Sequence, residues 1–187
     1  MIDELVARWG YAAILVGTFF EGETVLVLGG ALAHRGILSL PGVMLAAFVG
    51  SVAGDQLWFF VGARGGQAAL TRHPRWQRHV SRVSRWFDRY GSAFVVSFRF
   101  LYGMRTMSPV LLGASGYPMR RFLYLNMVGA GLWAASFAAL GWGIGAGLRR
   151  ALGRHAHWDE LALVGLVLVA AVAVALRFVR RRLRSVP

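Results

Sequence analysis

The sequence predicts an all-α, polytopic integral membrane protein, and three features carry that expectation. Apolar residues make up 57% of the 187, above the usual share of about 45–50%. They gather in runs of membrane-crossing length, which a soluble domain of this size could not hide. Charge is segregated from them: net charge is +13, all 21 basic residues are Arg, and the Arg fall mostly between and after the apolar runs. A soluble protein so basic would point to nucleic acid; here membrane topology gives the cations their role, so no nucleic-acid partner is expected.

The first apolar region, 5–33, is interrupted by Glu21-Gly22-Glu23. Two carboxylates with nearby glycines make a poor straight span. They suit two short helices meeting at a break, a re-entrant hairpin tolerated at depth only where protein or water satisfies its backbone. Residues 43–63 read as a transmembrane helix, opened by Pro41 and containing Asp55, with small residues for close helix contact. From 74 to 90 the pattern turns amphipathic. Arg72, Arg75, Arg78, Arg82, Arg85 and Arg89 oppose Trp76, Val80, Val83, Phe87 and Tyr90, as in a helix lying in the membrane interface.

Residues 93–116 form a second apolar stretch broken by Arg99, Arg105 and Ser108-Pro109, and read as a second re-entrant hairpin. Transmembrane helices follow at 119–148 and 158–178, then a basic tail at 179–187. Each half is a charged hairpin, a turn and a Gly-rich span, a candidate inverted repeat; Gly54 and Trp58 share a spacing with Gly129 and Trp133. If both hairpins re-enter, 14 Arg fall on one side, Arg64 to Arg89, Arg120, Arg121 and the tail. That side, with the C-terminus, is expected to be cytoplasmic in a multi-pass cell-membrane protein.

Five ionisable residues fall inside apolar stretches: Glu21, Glu23, Asp55, Arg99 and Arg105. Each costs about 2.5–3.5 kcal/mol at membrane depth, so they are expected to cluster, with acids of the first hairpin facing arginines of the second. A carboxylate in a low-dielectric pocket can take up and release a proton, which makes Glu21, Glu23 and Asp55 candidates for proton coupling. Arg99 and Arg105 keep their charge and offer a planar fork for phosphate oxygens, so they are candidates to hold an anionic head group. The alternative is a buried ion-pair network that only locks the hairpins.

Catalysis has little to stand on. There is no Gly-x-Ser-x-Gly elbow, no phosphate loop with Lys and no Cys. His34, His73, His79, His155 and His157 lie in loop or interface segments; no metal site, no cofactor and no enzyme activity are expected. Met1-Ile2-Asp3-Glu4 lacks the basic start of a signal peptide, so the first apolar run is expected to be retained.

At these residues the chain resembles the DedA family, the SNARE-associated or VTT-domain membrane proteins. The resemblance rests on Phe19-Phe20-Glu21, Gly54-Asp55, Gly62-Ala63-Arg64-Gly65-Gly66, Phe87 to Gly91, Arg99-Phe100 with Arg105, Pro109, Gly113, Phe122, Asn126 and Trp133. It departs from the family pattern at Gly22-Glu23-Thr24 and at Tyr102-Gly103. The resemblance implies a re-entrant-hairpin transporter fold in the cytoplasmic membrane. It also implies flipping of lipids, among them undecaprenyl phosphate and phospholipids, driven by the proton motive force. By the same resemblance an acid pair, Glu21 and Glu23, and an arginine pair, Arg99 and Arg105, would be required for function.

The expected function is therefore movement of an anionic lipid head group between leaflets, coupled to protons, with membrane lipids as partners and homo-oligomerisation open. The rivals are a proton-coupled carrier of a small solute and a non-transporting membrane scaffold.

Overall fold

The computed structural model describes residues 2–72, 85, 89, 91–100, 105 and 107–152. The interfacial helix expected at 74–90 (apart from residues 85 and 89), the span at 158–178 and the tail at 179–187 lie outside the described residues. Within them the chain is all-helical with no strand. The helices are α1 (Ile2–Glu21), α2 (Glu23–His34), α3 (Leu40–Arg72), α4 (Ser92–Ser97), α5 (Met107–Ala114) and α6 (Met119–Leu152), with a 3₁₀ turn at Phe98–Phe100 after α4.

The break at Gly22 turns the first apolar region back on itself. A Cβ there would lie 2.8 Å from the Cα and Cβ of Thr18, so only glycine admits the bend. The arms then run antiparallel: Val25 packs on Gly17, and Ile14 on Gly29. At the far end α2 stops at a left-handed glycine, Gly36 with φ 80°. Ile37 N–H donates to Leu32 O at 3.2 Å and Gly36 N–H to Ala33 O at 3.1 Å, which satisfies carbonyls the helix end leaves open. The end of α5 repeats the device, with Gly116 at φ 78° and Tyr117 N–H on Leu112 O at 3.2 Å.

Among the described residues two helices are long and apolar enough to cross a membrane, Leu40–Gly65 and Met119–Arg150. Pro41, just inside α3, occupies the turn where its missing N–H costs nothing. Both helices outrun the apolar stretches read from sequence, because hydropathy marks the part lipid can cover while the hydrogen-bond ladder continues into polar residues. The apolar parts of α1 and α2, Val6–Phe20 and Glu23–His34, reach about 22 and 18 Å at 1.5 Å per residue, short of a core of about 30 Å.

The long helices run antiparallel through the centre. Phe59 of α3 stacks on Phe122 of α6 at 4.4 Å, and towards their other ends Val43 and Ala47 share a cluster with Trp133, Ala134 and Ala138. Each long helix packs on a short helix through reciprocal glycines, α3 on α5 and α6 on α2. A Cβ on Gly113 of α5 would strike Phe59 O and one on Gly62 of α3 would strike Val110 O. Likewise Gly30 of α2 abuts Ala138 O, and Gly141 of α6 abuts Val27 O. In addition α1 lies on Gly50 and Gly54 of α3, and α4 on Gly129 of α6. Such backbone-to-backbone approach is how helices associate where lipid removes the hydrophobic drive.

These glycines differ sharply from others in the same helix. Among the described residues, Gly131 and Gly143 of α6 have nothing within 4 Å of an added Cβ. Gly30→Ala and Gly113→Ala are each expected to cost about 1–3 kcal/mol through forced separation of backbones. Gly131→Ala and Gly143→Ala should gain up to about 1 kcal/mol from helix propensity. Thermal unfolding of the four variants in detergent checks the split.

Candidate functional site

A polar layer lies between two apolar clusters. On one side are Ile14, Leu26, Val43, Ala47, Trp133 and Ala138; on the other Phe59, Phe94, Phe98, Leu111, Leu112 and Phe122. Along α3 the sequence of layers is Val43 and Ala47, then Ser51 and Asp55, then Phe59, one turn apiece. Turn spacing puts all five on one face, and that face meets α6 at Trp133, Asn126 and Phe122.

Arg99 reaches into this layer from the 3₁₀ turn after α4 and is 1% exposed. Its Nη2 donates to Asp55 Oδ2 at 2.8 Å and to the side-chain and backbone oxygens of Asn126. Its Nη1 donates to Ser51 Oγ at 3.1 Å. Asp55 is 3% exposed, so the pair is buried on both sides. A charged pair removed from water persists only where further hydrogen bonds satisfy it, as here. Gly129 allows the approach: a Cβ on it would stand 3.3 Å from Arg99 Nε.

Arg105, which lies in sequence between the 3₁₀ turn and α5, is half-buried. Its Nη2 donates to the backbone carbonyl of Thr18 at 2.5 Å and to Ser51 Oγ at 3.2 Å. Its guanidinium carbon sits 4.6 Å from the centre of the Trp133 ring, a cation–π contact that orients the plane. Thr18 O belongs to the last turn of α1, where four carbonyls lack helical partners and the dipole is negative. Arg105 thus caps the broken helix of the first hairpin at the end of α1.

The expected meeting of the two hairpins is present in part. Arg105 touches the first hairpin through a backbone carbonyl, and the carboxylate that Arg99 pairs with is Asp55 on α3. Glu23 opens α2 partly exposed, and among the described residues no hydrogen bond or ion pair joins it to the layer. Glu21 closes α1 beside it; its side chain lies outside the described residues. No grouping of His, Asp and Glu suited to a metal ion occurs among the described residues.

Three participants were not singled out as site residues from sequence. Ser51 accepts from both arginines, Asn126 bonds Arg99, and Trp133 underlies Arg105. Ser51 had read as one of several small residues in a close-packing helix; its hydroxyl at the Asp55 face was the available signal. Several buried donors around the arginines, Arg99 Nε, Asn126 Nδ2 and Trp133 Nε1, have no acceptor among the described residues.

Comparison with known proteins agrees with the membrane architecture. The family model described as the VTT domain matches residues 20–143. The chain is 37% identical over 191 residues to inner membrane protein YohD of Escherichia coli K12, covering all of this chain and 97% of that one. It is 30% identical to the uncharacterized membrane protein slr0232 of Synechocystis, over 97% of this chain and 89% of that one. It is 24% identical to undecaprenyl phosphate transporter A of Bacillus subtilis, over 97% and 95% of the two chains. No solved structure matches. With the family model matching two thirds of its length and full-length similarity to membrane relatives, this chain belongs to the VTT-domain, or DedA, family of membrane proteins.

Proposed function

We propose that the chain moves an anionic lipid head group, with a phosphate as its recognised part, between membrane leaflets under proton control, and does so as a transporter, not an enzyme. The observation that carries this reading is the convergence of Arg99 and Arg105 on Ser51, midway along a helix long enough to cross a membrane. The two arginines divide the work. Arg99 is fixed by Asp55 and Asn126. Arg105 holds a backbone carbonyl, a neutral acceptor that a phosphate oxygen can displace for a charge-assisted, bidentate bond. The unpartnered buried donors beside it favour an oxygen-rich occupant, since each costs about 1–3 kcal/mol while unmet. Similarity to a relative named for undecaprenyl phosphate transport supports the substrate class.

For proton coupling the candidates are Glu21, Glu23 and Asp55. Protonating Asp55 would remove the charge that holds Arg99, and protons on Glu21 or Glu23 would change the charge at the apex of the first hairpin. The arrangement of helices supports an inverted repeat. Adding 79 to Gly50, Phe59, Gly62 and Ala63 gives Gly129, Ala138, Gly141 and Trp142, the residues making the equivalent contacts. This register aligns Gly50, not Gly54, with Gly129. Because α3 and α6 are antiparallel, the two hairpins would enter from opposite faces, both tips ending near mid-membrane. Residues 64–72 and 120–121 then share the cytoplasmic side with the Arg-rich tail.

Two measurements test this. In proteoliposomes, head-group accessibility of undecaprenyl phosphate and phosphatidylglycerol should change with the protein present, faster under a pH gradient; no movement of either lipid would end the reading. Single cysteines Ala12→Cys and His34→Cys, in a chain with no native Cys, should be labelled from the same face. Labelling from opposite faces would mean that the first hairpin spans.

A further inference from the structure

A groove of about 300 Å³ runs between α1 and α2, away from the polar layer, lined by Val6, Trp9, Ala13, Leu28, Leu32 and Leu38 among others and by no polar side chain. Its walls belong to different packing units. On one side α1 lies backbone to backbone on α3 at Gly50 and Gly54; on the other α2 lies backbone to backbone on α6 at Gly30 and Gly141. Between the arms themselves the close contacts are side chains on glycine, Val25 on Gly17 and Ile14 on Gly29. The walls are therefore joined at the Gly22 bend, by side-chain contacts and by the Tyr11 hydroxyl bonded to Ser39, while each keeps its own glycine-packed partner.

The chemistry of the groove restricts its occupant. A helix is about 10–12 Å across with side chains, wider than a groove of this volume, so a slender chain fits it better than a helix does. The surrounding medium is hydrocarbon, which supplies slender apolar chains. Two cations adjoin the lining residues in sequence: Arg8 precedes Trp9 on α1, and Arg35 caps α2 between Leu32 and Leu38. At the inner end, Ile14 lies one turn before Thr18, whose carbonyl Arg105 holds.

We propose that this groove seats one hydrocarbon chain of an anionic lipid, its head group toward Arg8 and Arg35. The site is separate from the Arg99–Arg105 layer; the transport reading supplies only its purpose, a lipid held against the seam that must open to admit its head group. The test reads occupancy and needs no transport. The full chain is placed in nanodiscs containing phosphatidylglycerol with a diazirine at the end of one acyl chain, irradiated and mapped by peptide mass. Cross-links should concentrate in residues 6–38. Ala13→Trp fills the groove at an exposed position, and should lower that labelling about tenfold by excluding roughly two methylene contacts. Ala12→Trp, exposed but outside the lining, should leave it unchanged. Labelling spread evenly over outward residues such as Leu45, Leu132 and Leu140, or undiminished in well-folded Ala13→Trp protein, overturns the proposal. So does cross-linking of the groove to a second copy or to residues 161–176. Failure of lipid movement with the groove labelled would count against the transport reading alone.

Discussion

Asp55→Asn is expected to lower the stability of the folded protein by about 3–5 kcal/mol, because it leaves the fully buried Arg99 cation without its counter-charge. The loss should appear as reduced folded yield and a lower unfolding temperature in detergent. Arg99→Met alone should be similarly costly, since it strands the Asp55 carboxylate in the same layer. The double variant Asp55→Leu with Arg99→Met removes both charges, and apolar replacement of a buried pair is often neutral or stabilising. It should recover most of the lost stability, a coupling of several kcal/mol in the double-mutant cycle. Recovery is limited by Asn126, which loses its donor, and by Ser51, which keeps only the bond from Arg105. What the double variant does next is informative: folded protein that no longer moves lipid assigns the pair to function. Full activity would make the pair a structural lock and leave Arg105 as the working cation.

That outcome bears on how far the site could be read from the sequence. Charge inside apolar runs identified Asp55, Arg99 and Arg105 without any structure, because membrane depth makes each too costly to be incidental. Which acid faces which arginine was not legible. Pairing depends on how α3, the 3₁₀ turn and α6 cross, and nothing in the spacing of Asp55 and Arg99, 44 residues apart, reports that crossing. The hairpin break was visible as Glu21-Gly22-Glu23. The proposed repeat shows in the sequence only as shared Gly-rich composition; the register proposed for it rests on which glycines meet a backbone. Gly50, Gly62, Gly113 and Gly141 look no different in sequence from Gly131 and Gly143, which touch nothing among the described residues. Ser51 was hidden for a related reason, since a small residue in a membrane helix serves packing and hydrogen bonding equally well.

Arg105→Lys is expected to abolish head-group movement while leaving the protein folded. Lysine keeps the charge, but a single ammonium cannot reproduce the fork that bridges Thr18 O and Ser51 Oγ and would grip phosphate on two oxygens. Arg105 bonds Thr18 O and Ser51 Oγ and lies over Trp133, and because lysine keeps the positive charge no counter-charge is stranded, so the stability loss should stay near about 1 kcal/mol. This contrasts with Asp55→Asn, where folding fails first. Glu21→Gln separates the other half of the mechanism. It keeps size and much of the hydrogen bonding but cannot cycle a proton, so binding of undecaprenyl phosphate should persist while acceleration by a pH gradient disappears. The measurements are folded yield, lipid binding and gradient-dependent accessibility, made on the same preparations. Well-folded Glu21→Gln that still responds fully to the gradient would remove Glu21 from the coupling role and shift it to Glu23 or Asp55. If Arg105→Lys transports at the native rate, charge alone suffices there, and the phosphate grip must lie elsewhere in the layer.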